Sequence, residues 1–239
     1  MKRMCHKLAA VAMALGVLSG PAAGAEKALT VVELFTSQGC SSCPPADALV
    51  GELAKRDDVL ALSVHVDYWD YIGWKDPYAR AEHTERQRQY SRKFELRYVY
   101  TPQMVVHGAY QSVGGDRGDI MEMVDKARAL PRVPVKLKRG PNGVQLDLPA
   151  GSVDGDVEIL SVFFDRRHDT NIKRGENSGR TLSHYNVVRR MQRIGTWNGE
   201  AMRMSVMSED AGGEVCAVIL QMAGSRQIIG ADWIALDGT

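Results

Sequence analysis

The stretch Val32-Glu-Leu-Phe-Thr-Ser-Gln-Gly-Cys-Ser-Ser-Cys-Pro-Pro-Ala-Asp47 sets Cys40 and Cys43 between an apolar run and a segment that opens with two prolines. Upstream, "ALTVVELF" (28–35) is a β-branched run of strand length. Downstream, Ala46, Leu49, Val50 and Leu53 recur at helical spacing. The cysteines therefore stand at a strand-to-helix junction. A first helical turn offers unpaired N–H groups and the positive end of the helix dipole. A thiolate placed there is stabilised, and its pKa falls below the roughly 8.5 of free cysteine. Cys40 is expected at the exposed edge, able to attack a disulfide; Cys43, one turn in, can resolve the mixed disulfide. Pro44 and Pro45 cost little, because first-turn N–H groups have no helical partner. Asp47 follows within the next turn, close enough to bias proton traffic or simply to suit a helix start.

Spacing alone leaves three readings open: a redox pair, half of a metal site, or an inert crosslink. A tetrahedral zinc site takes four ligands. A second C-x-x-C is missing, and His65, His107 and Cys216 show no ligand-pair spacing. A two-thiol site for a soft metal such as Cu(I) stays possible on chemistry alone.

The N-terminus narrows the compartment. Lys2, Arg3 and Lys7 precede an apolar run from Leu8 to Leu18, then Ala23-Gly24-Ala25. That is a secretory leader over 1–25, too short for a membrane anchor, and no later stretch nears the roughly 18 apolar residues a span needs. A soluble secreted protein is expected, periplasmic in a bacterium. Loss of three basic residues takes the formal charge from +1 to −2. Near-neutrality argues against nucleic acid as a bulk electrostatic partner. Cys5 leaves with the leader, so Cys40, Cys43 and Cys216 remain, too few for a disulfide scaffold. Cys216, inside "EVCAVILQM", is expected to be a buried strand residue acting as a small hydrophobe.

"VLALSVHVDYW" reads as a second buried strand. A polar segment over 75–97 reads as a surface helix. "YVYTPQMVVHGAYQSVGG" gives a strand, a turn and a strand, and "DRGDIMEMVDKARAL" a helix with Ile120, Met123, Val124 and Ala127 on one side. This is an α/β pattern over 26–131. After Pro131 and Pro134 the period changes to alternation, with a hairpin signal at Pro141-Asn142-Gly143. Further strand-like runs follow, so 132–239 is expected to form a smaller, all-β, sandwich-like domain.

The cysteine segment and "YVYTPQMVVHGAYQSVGG" together resemble the thioredoxin superfamily. The redox pair matches Cys40 and Cys43, and its cis-proline matches Pro102. Gly108 falls where that family turns between its last two strands, and Val113-Gly114 matches its closing strand. The resemblance covers about 28–130 and implies that Thr101, before the proline, offers backbone groups to an extended substrate. Three departures stand out. Gly39 replaces the tryptophan before the first cysteine, Ser41-Ser42 matches neither the reducing nor the strongly oxidising members, and the 75–97 helix is an insertion. Over nearly the whole chain, "ELFTSQGCSSCPPAD", "VDYWDYIGWKDP", "YTPQMVVHG" and "RGENSGRTLSHYNVV" resemble the secreted thioredoxin-like family known as domain of unknown function 1223.

The end of the second strand would lie on the same sheet edge as the cysteines. Asp67, Tyr68, Trp69 and Asp70 are then candidates to line a substrate groove, with Trp69 and Trp74 as walls. The alternative is that these aromatics pack the inserted helix onto the domain. His65 and His107 are read as strand positions with ordinary hydrogen bonds. Residues 165–193 carry eight Lys/Arg against three Asp/Glu, read as a solvated hairpin edge, with an acidic partner or domain docking as alternatives.

The expected function is thiol-disulfide exchange through Cys40 and Cys43, with Thr101 and Pro102 orienting the substrate backbone. Its partners would be a protein or a low-molecular-weight thiol or disulfide, plus an electron-transfer partner. No organic cofactor is needed. The alternative is a non-catalytic thioredoxin-like binding module for a protein or a soft metal.

Overall fold

A computed structural model of the protein describes residues 28–141, 143–206 and 212–236. The expected leader lies outside them. The first half runs β1 (Thr30–Thr36), α1 (Pro44–Leu53), β2 (Val59–His65), α2 (Ala81–Lys93), β3 (Gln103–Val106), β4 (Tyr110–Val113) and α3 (Arg117–Ala127). Strand β1 pairs in parallel with β2 and antiparallel with β3, and β4 closes the edge against β3. Every residue of β1 and β2 is buried, as expected for strands covered on both faces. Val32 and Leu34 face α1 and α3, packing with Leu49, Val50, Ile120 and Val124. Val31 and Phe35 face the other way, toward Tyr90 of α2.

Two helices follow their apolar periodicity closely. In α3 the buried positions are Ile120, Val124 and Ala127, with Met123 at the rim, and the Asp116 side chain caps the helix by accepting from Asp119 N. Helix α2 is shorter than the expected 75–97. Asp76 precedes Pro77, which disfavours helical backbone, and its carboxylate accepts from Gln38 N and Tyr78 N. At the other end Glu95 adopts φ 53°. Helix α2 is also less of a surface helix than its composition implies. Arg86 reaches through it to Glu33 in β1, with Nε to Oε1 at 2.6 Å, while Tyr90 donates to the same carboxylate. A buried pair of this kind is strongly destabilised by loss of one partner.

The second half runs β5 (Lys136–Gly140), β6 (Gly143–Leu148), β7 (Val157–Asn171), β8 (Thr181–Trp197), β9 (Met202–Val206), β10 (Val215–Met222) and β11 (Ile228–Ala235). Strands β5, β6 and β9 form a three-stranded sheet. It closes a sandwich over β7, β10 and β11, with Trp197, Leu146, Ile159, Phe163 and Val218 in the core. Cys216 lies there, buried, and burial pushes its thiol up to about 12. The fold is thus α/β, a thioredoxin-like part plus a β part.

The two parts share one sheet. Its order is β11-β10-β7-β8-β2-β1-β3-β4. The join is the parallel pairing of Ser63 in β2 with Val187 in β8, reinforced by Asn186 Nδ2 donating to Ala61 O at 2.8 Å. One apolar cluster therefore mixes Val31, Leu62 and Val64 with Val162, Val188 and Ala217. The cationic hairpin over 165–193 belongs to β7 and β8, which are central strands of the large sheet. The β7–β10 pairing ends at Phe164, and beyond it β7 and β8 run on as a two-stranded ribbon with Arg166, Arg167 and Asp169 exposed, the solvated hairpin that its charge implies.

Candidate functional site

Cys40 and Cys43 are joined by a disulfide, with their Cα atoms 5.4 Å apart. Cys43 is the N-cap of α1, and Pro44 and Pro45 occupy the first helical positions. The Cys43 carbonyl accepts from Ala46 N and Asp47 N, so the cap closes by backbone alone. The Ser42 hydroxyl lies 3.4 Å from Cys40 Sγ.

The Thr101–Pro102 peptide is cis, as the resemblance implied. Pro102 stands against the first turn of α1. A Cβ added at Gly114 would meet Ala46 Cβ at 2.9 Å and Pro102 Cβ at 3.1 Å, so those two side chains flank one point. The Thr101 hydroxyl accepts from Trp69 Nε1 at 2.7 Å, tying the segment after β2 to the proline loop. The place beside Gly39 is filled by Trp69 Cβ at 3.2 Å and Ile72 Cδ1 at 3.3 Å.

Asp67 Oδ1 accepts from Thr84 Oγ1 at 2.6 Å, which fastens it to α2. Trp74 Nε1 donates to Gln38 Oε1, two residues before Cys40, so Trp74 braces the cysteine loop.

Burial corrects one expectation. Cys40 was expected at an exposed edge; both cysteines are at 0% exposure. The tip between β7 and β8 reaches the backbone of the cysteine loop. Asn177, itself fully buried, donates from Nδ2 to Gln38 O and Cys40 O, both at 3.0 Å. A Cβ added at Gly175, in the same tip, would meet Trp74 Cβ at 3.3 Å.

Sequence reading named His65 and Asp47 but not their partners Asp76 and His184. His65 ends β2 and its Nδ1 lies 2.7 Å from Asp76 Oδ2, both side chains fully buried. The His65 ring meets the His184 ring edge-on at 4.6 Å, and His184 Nδ1 lies 3.5 Å from Asp47 Oδ1. Asp47 is one turn past Cys43 and also accepts from Thr36 Oγ1. Burial opposes charge on His184, but Asp47 and Asp76 outweigh it and raise its pKa above the ordinary value. Burial likewise opposes ionisation of Asp76, yet His65 and the Gln38 and Tyr78 N–H groups hold its carboxyl low. A polar network so enclosed is costly unless paired. His107 is not a strand residue. It opens the β3–β4 turn at φ 53°, its Nδ1 accepting from Val31 N at 3.3 Å.

Among the described residues, no group of three or more His, Cys, Asp or Glu side chains is arranged to hold a metal ion, and no helix is long and apolar enough to cross a membrane.

A disulfide at a helix N-terminus, beside a cis-proline loop on a parallel-antiparallel sheet, defines a thioredoxin-like redox fold. The chain is 27% identical over 101 residues to a probable thioredoxin of Archaeoglobus fulgidus, which accounts for 42% of this chain and 91% of that protein. The chain belongs to the family described as protein of unknown function (DUF1223), whose pattern matches residues 31–221. A crystal structure of a protein from Agrobacterium tumefaciens superposes with a TM-score of 0.79 at 35% identity, covering 90% of this chain and 98% of that one. HBP35 of Porphyromonas gingivalis shares the fold at a TM-score of 0.57 and 15% identity, over 90% of this chain and 77% of that one.

Proposed function

We propose that the protein is a thiol-disulfide oxidoreductase of an oxidising compartment outside the cytoplasm, exchanging electrons through Cys40 and Cys43. The carrying observation is the disulfide at the α1 N-terminus with the cis Pro102 near the same helical turn, across Gly114 from Ala46. In the reducing direction, a substrate thiolate attacks Cys40 Sγ, the Cys40–Cys43 bond breaks, and Cys43 leaves as a thiolate that takes up a proton. A second thiolate then displaces Cys40, leaving an oxidised substrate and two reduced cysteines. The opposite direction reverses each step. Cys40 carries the mixed disulfide in either direction: it is attacked when the pair is reduced, and it attacks a substrate disulfide when the pair is oxidised, its thiolate then favoured by the helix N-terminus and by the Ser42 hydroxyl. Thr101 and Pro102 orient the substrate chain. The substrate is a protein or small thiol or disulfide, and the leader over 1–25 supports export.

The full burial of both cysteines favours a second reading, in which the bond is a structural crosslink in a non-catalytic binding module. Exchange with insulin or with a glutathione mixed disulfide separates the two. The wild type is expected to turn over and Cys40→Ser to lose at least 100-fold; equal rates would remove the enzymatic reading.

A further inference from the structure

Two segments meet the cysteine loop, whose Cys40 and Cys43 are fully buried. One is the Trp69–Ile72 segment beside Gly39; the other is the β7–β8 tip, residues 173–180, bound to Cys40 O. We propose that Asn177 is the access-determining residue of the disulfide: the tip is a latch that an exchange partner must lift before a thiolate can reach Cys40 Sγ. Its meaning for function rests on the oxidoreductase reading above.

The tip is built to hold one amide in one place. Nδ2 uses both its protons on backbone carbonyls of the cysteine loop, Gln38 O and Cys40 O. Oδ1 accepts from Arg180 Nη1 at 2.9 Å, which fixes the amide's orientation. Gly175 and Gly179 bracket Asn177 at φ 77° and 81°, a conformation glycine adopts freely, and so let the tip turn sharply inward. Ile172 N donates to Arg180 O, and Gly179 N to Ile172 O, closing the tip as a compact unit. Gln38 is tethered to the same hairpin through Nε2 to Thr170 Oγ1 at 3.0 Å.

Ile172, at the base of the tip, is buried, but past it apolar burial is slight. Of residues 173–180 only Asn177 is buried, while Lys173, Arg174, Glu176, Ser178 and Arg180 face solvent. Hydrogen bonds of this kind contribute modestly each. A segment held mainly by them opens locally, far below the cost of unfolding the sheet behind it. No carboxylate can replace the amide: aspartate would turn acceptors toward two carbonyl oxygens.

The test is the rate at which dithiothreitol reduces Cys40–Cys43, read by alkylation and the mass shift. One dithiothreitol thiolate attacks Cys40 Sγ and Cys43 departs as thiolate and is protonated. The reagent's second thiol then closes the cyclic disulfide and frees Cys40, so two electrons pass to the pair. Asn177→Ala and Asn177→Asp are expected to react at least ten-fold faster than wild type with unchanged circular dichroism. Arg180→Ala, which frees only the Oδ1 end, should fall between. A folded Asn177→Ala reacting at the wild-type rate would overturn the latch, as would a wild-type rate equal to that of the denatured chain. If Asn177→Ala does not fold, Arg180→Ala decides, and a wild-type rate there overturns the proposal. The reagent reports access alone. Accelerated variants without turnover would leave the latch and remove the oxidoreductase; turnover by the wild type with unaccelerated variants would do the reverse.

Discussion

His107 shows how a single buried side chain couples this fold to pH. Burial, reinforced by the nearby Arg132 charge, depresses its pKa to about 3. In an unfolded chain the same imidazole titrates near 6.5. Below that value the unfolded state binds a proton that the folded state refuses, so stability falls with pH through the window from about 6.5 to 3. Above it the residue has no such effect. His83 acts in the same sense, its pKa lowered to about 4 by burial. His184 acts oppositely, since its raised pKa adds stability at low pH that is lost as pH rises through the folded value. His107→Asn, which keeps a residue tolerant of positive φ, should flatten the decline between pH 7 and pH 4 by about 2–3 kcal/mol in urea denaturation. Parallel curves for the two proteins would show that the imidazole is not held neutral.

At the scale of elements, the contact that matters most is α1 against β8, because it brings the C-terminal half up to the cysteine helix. Gly51 allows it. A Cβ there would meet the Tyr185 ring at 2.5 to 3.0 Å, too close for any real contact. Alanine in a helix is worth up to about 1 kcal/mol over glycine. Overpacking costs about 1–3 kcal/mol, and here it falls on a ring wedged between elements. Gly51→Ala is therefore expected to destabilise by about 1–2 kcal/mol in thermal or urea unfolding. In a Tyr185→Ala background the same change should become neutral or stabilising. A stabilising Gly51→Ala in the native background would mean that α1 and β8 are not in register as described. Much of the element layer was legible in sequence. The strand before the cysteines, the helix after them, the Thr101–Pro102 loop and the apolar face of α3 all follow from signals within about a dozen residues. Helix α2 was over-extended because Asp76-Pro77 reads as ordinary polar chain until its carboxylate is seen capping Gln38 N.

Across the whole molecule, long-range placement was not legible. Alternation beyond Pro134 correctly announces strands, but nothing in it says that β8 will pair with β2. That pairing rests on a single register point and on shared apolar burial, both remote in sequence. The same is true of Asn177. The glycines flanking it signal a tight turn, yet its landing point on Cys40 depends on the full length of β7 and β8. His184 and Asp47 meet for the same reason, through strands that converge only in the fold. The consequence is a thioredoxin-like redox fold in which both halves reach the cysteine loop, Trp74 from one and Asn177 from the other, around the exchange proposed above. Its most direct test is the reduction potential of Cys40–Cys43, measured by equilibration with glutathione and alkylation of the intact protein. An exchanging pair should lie above about −300 mV, within reach of the glutathione couple. A value below that would mark a bond that glutathione cannot open, and would contradict a role in exchange.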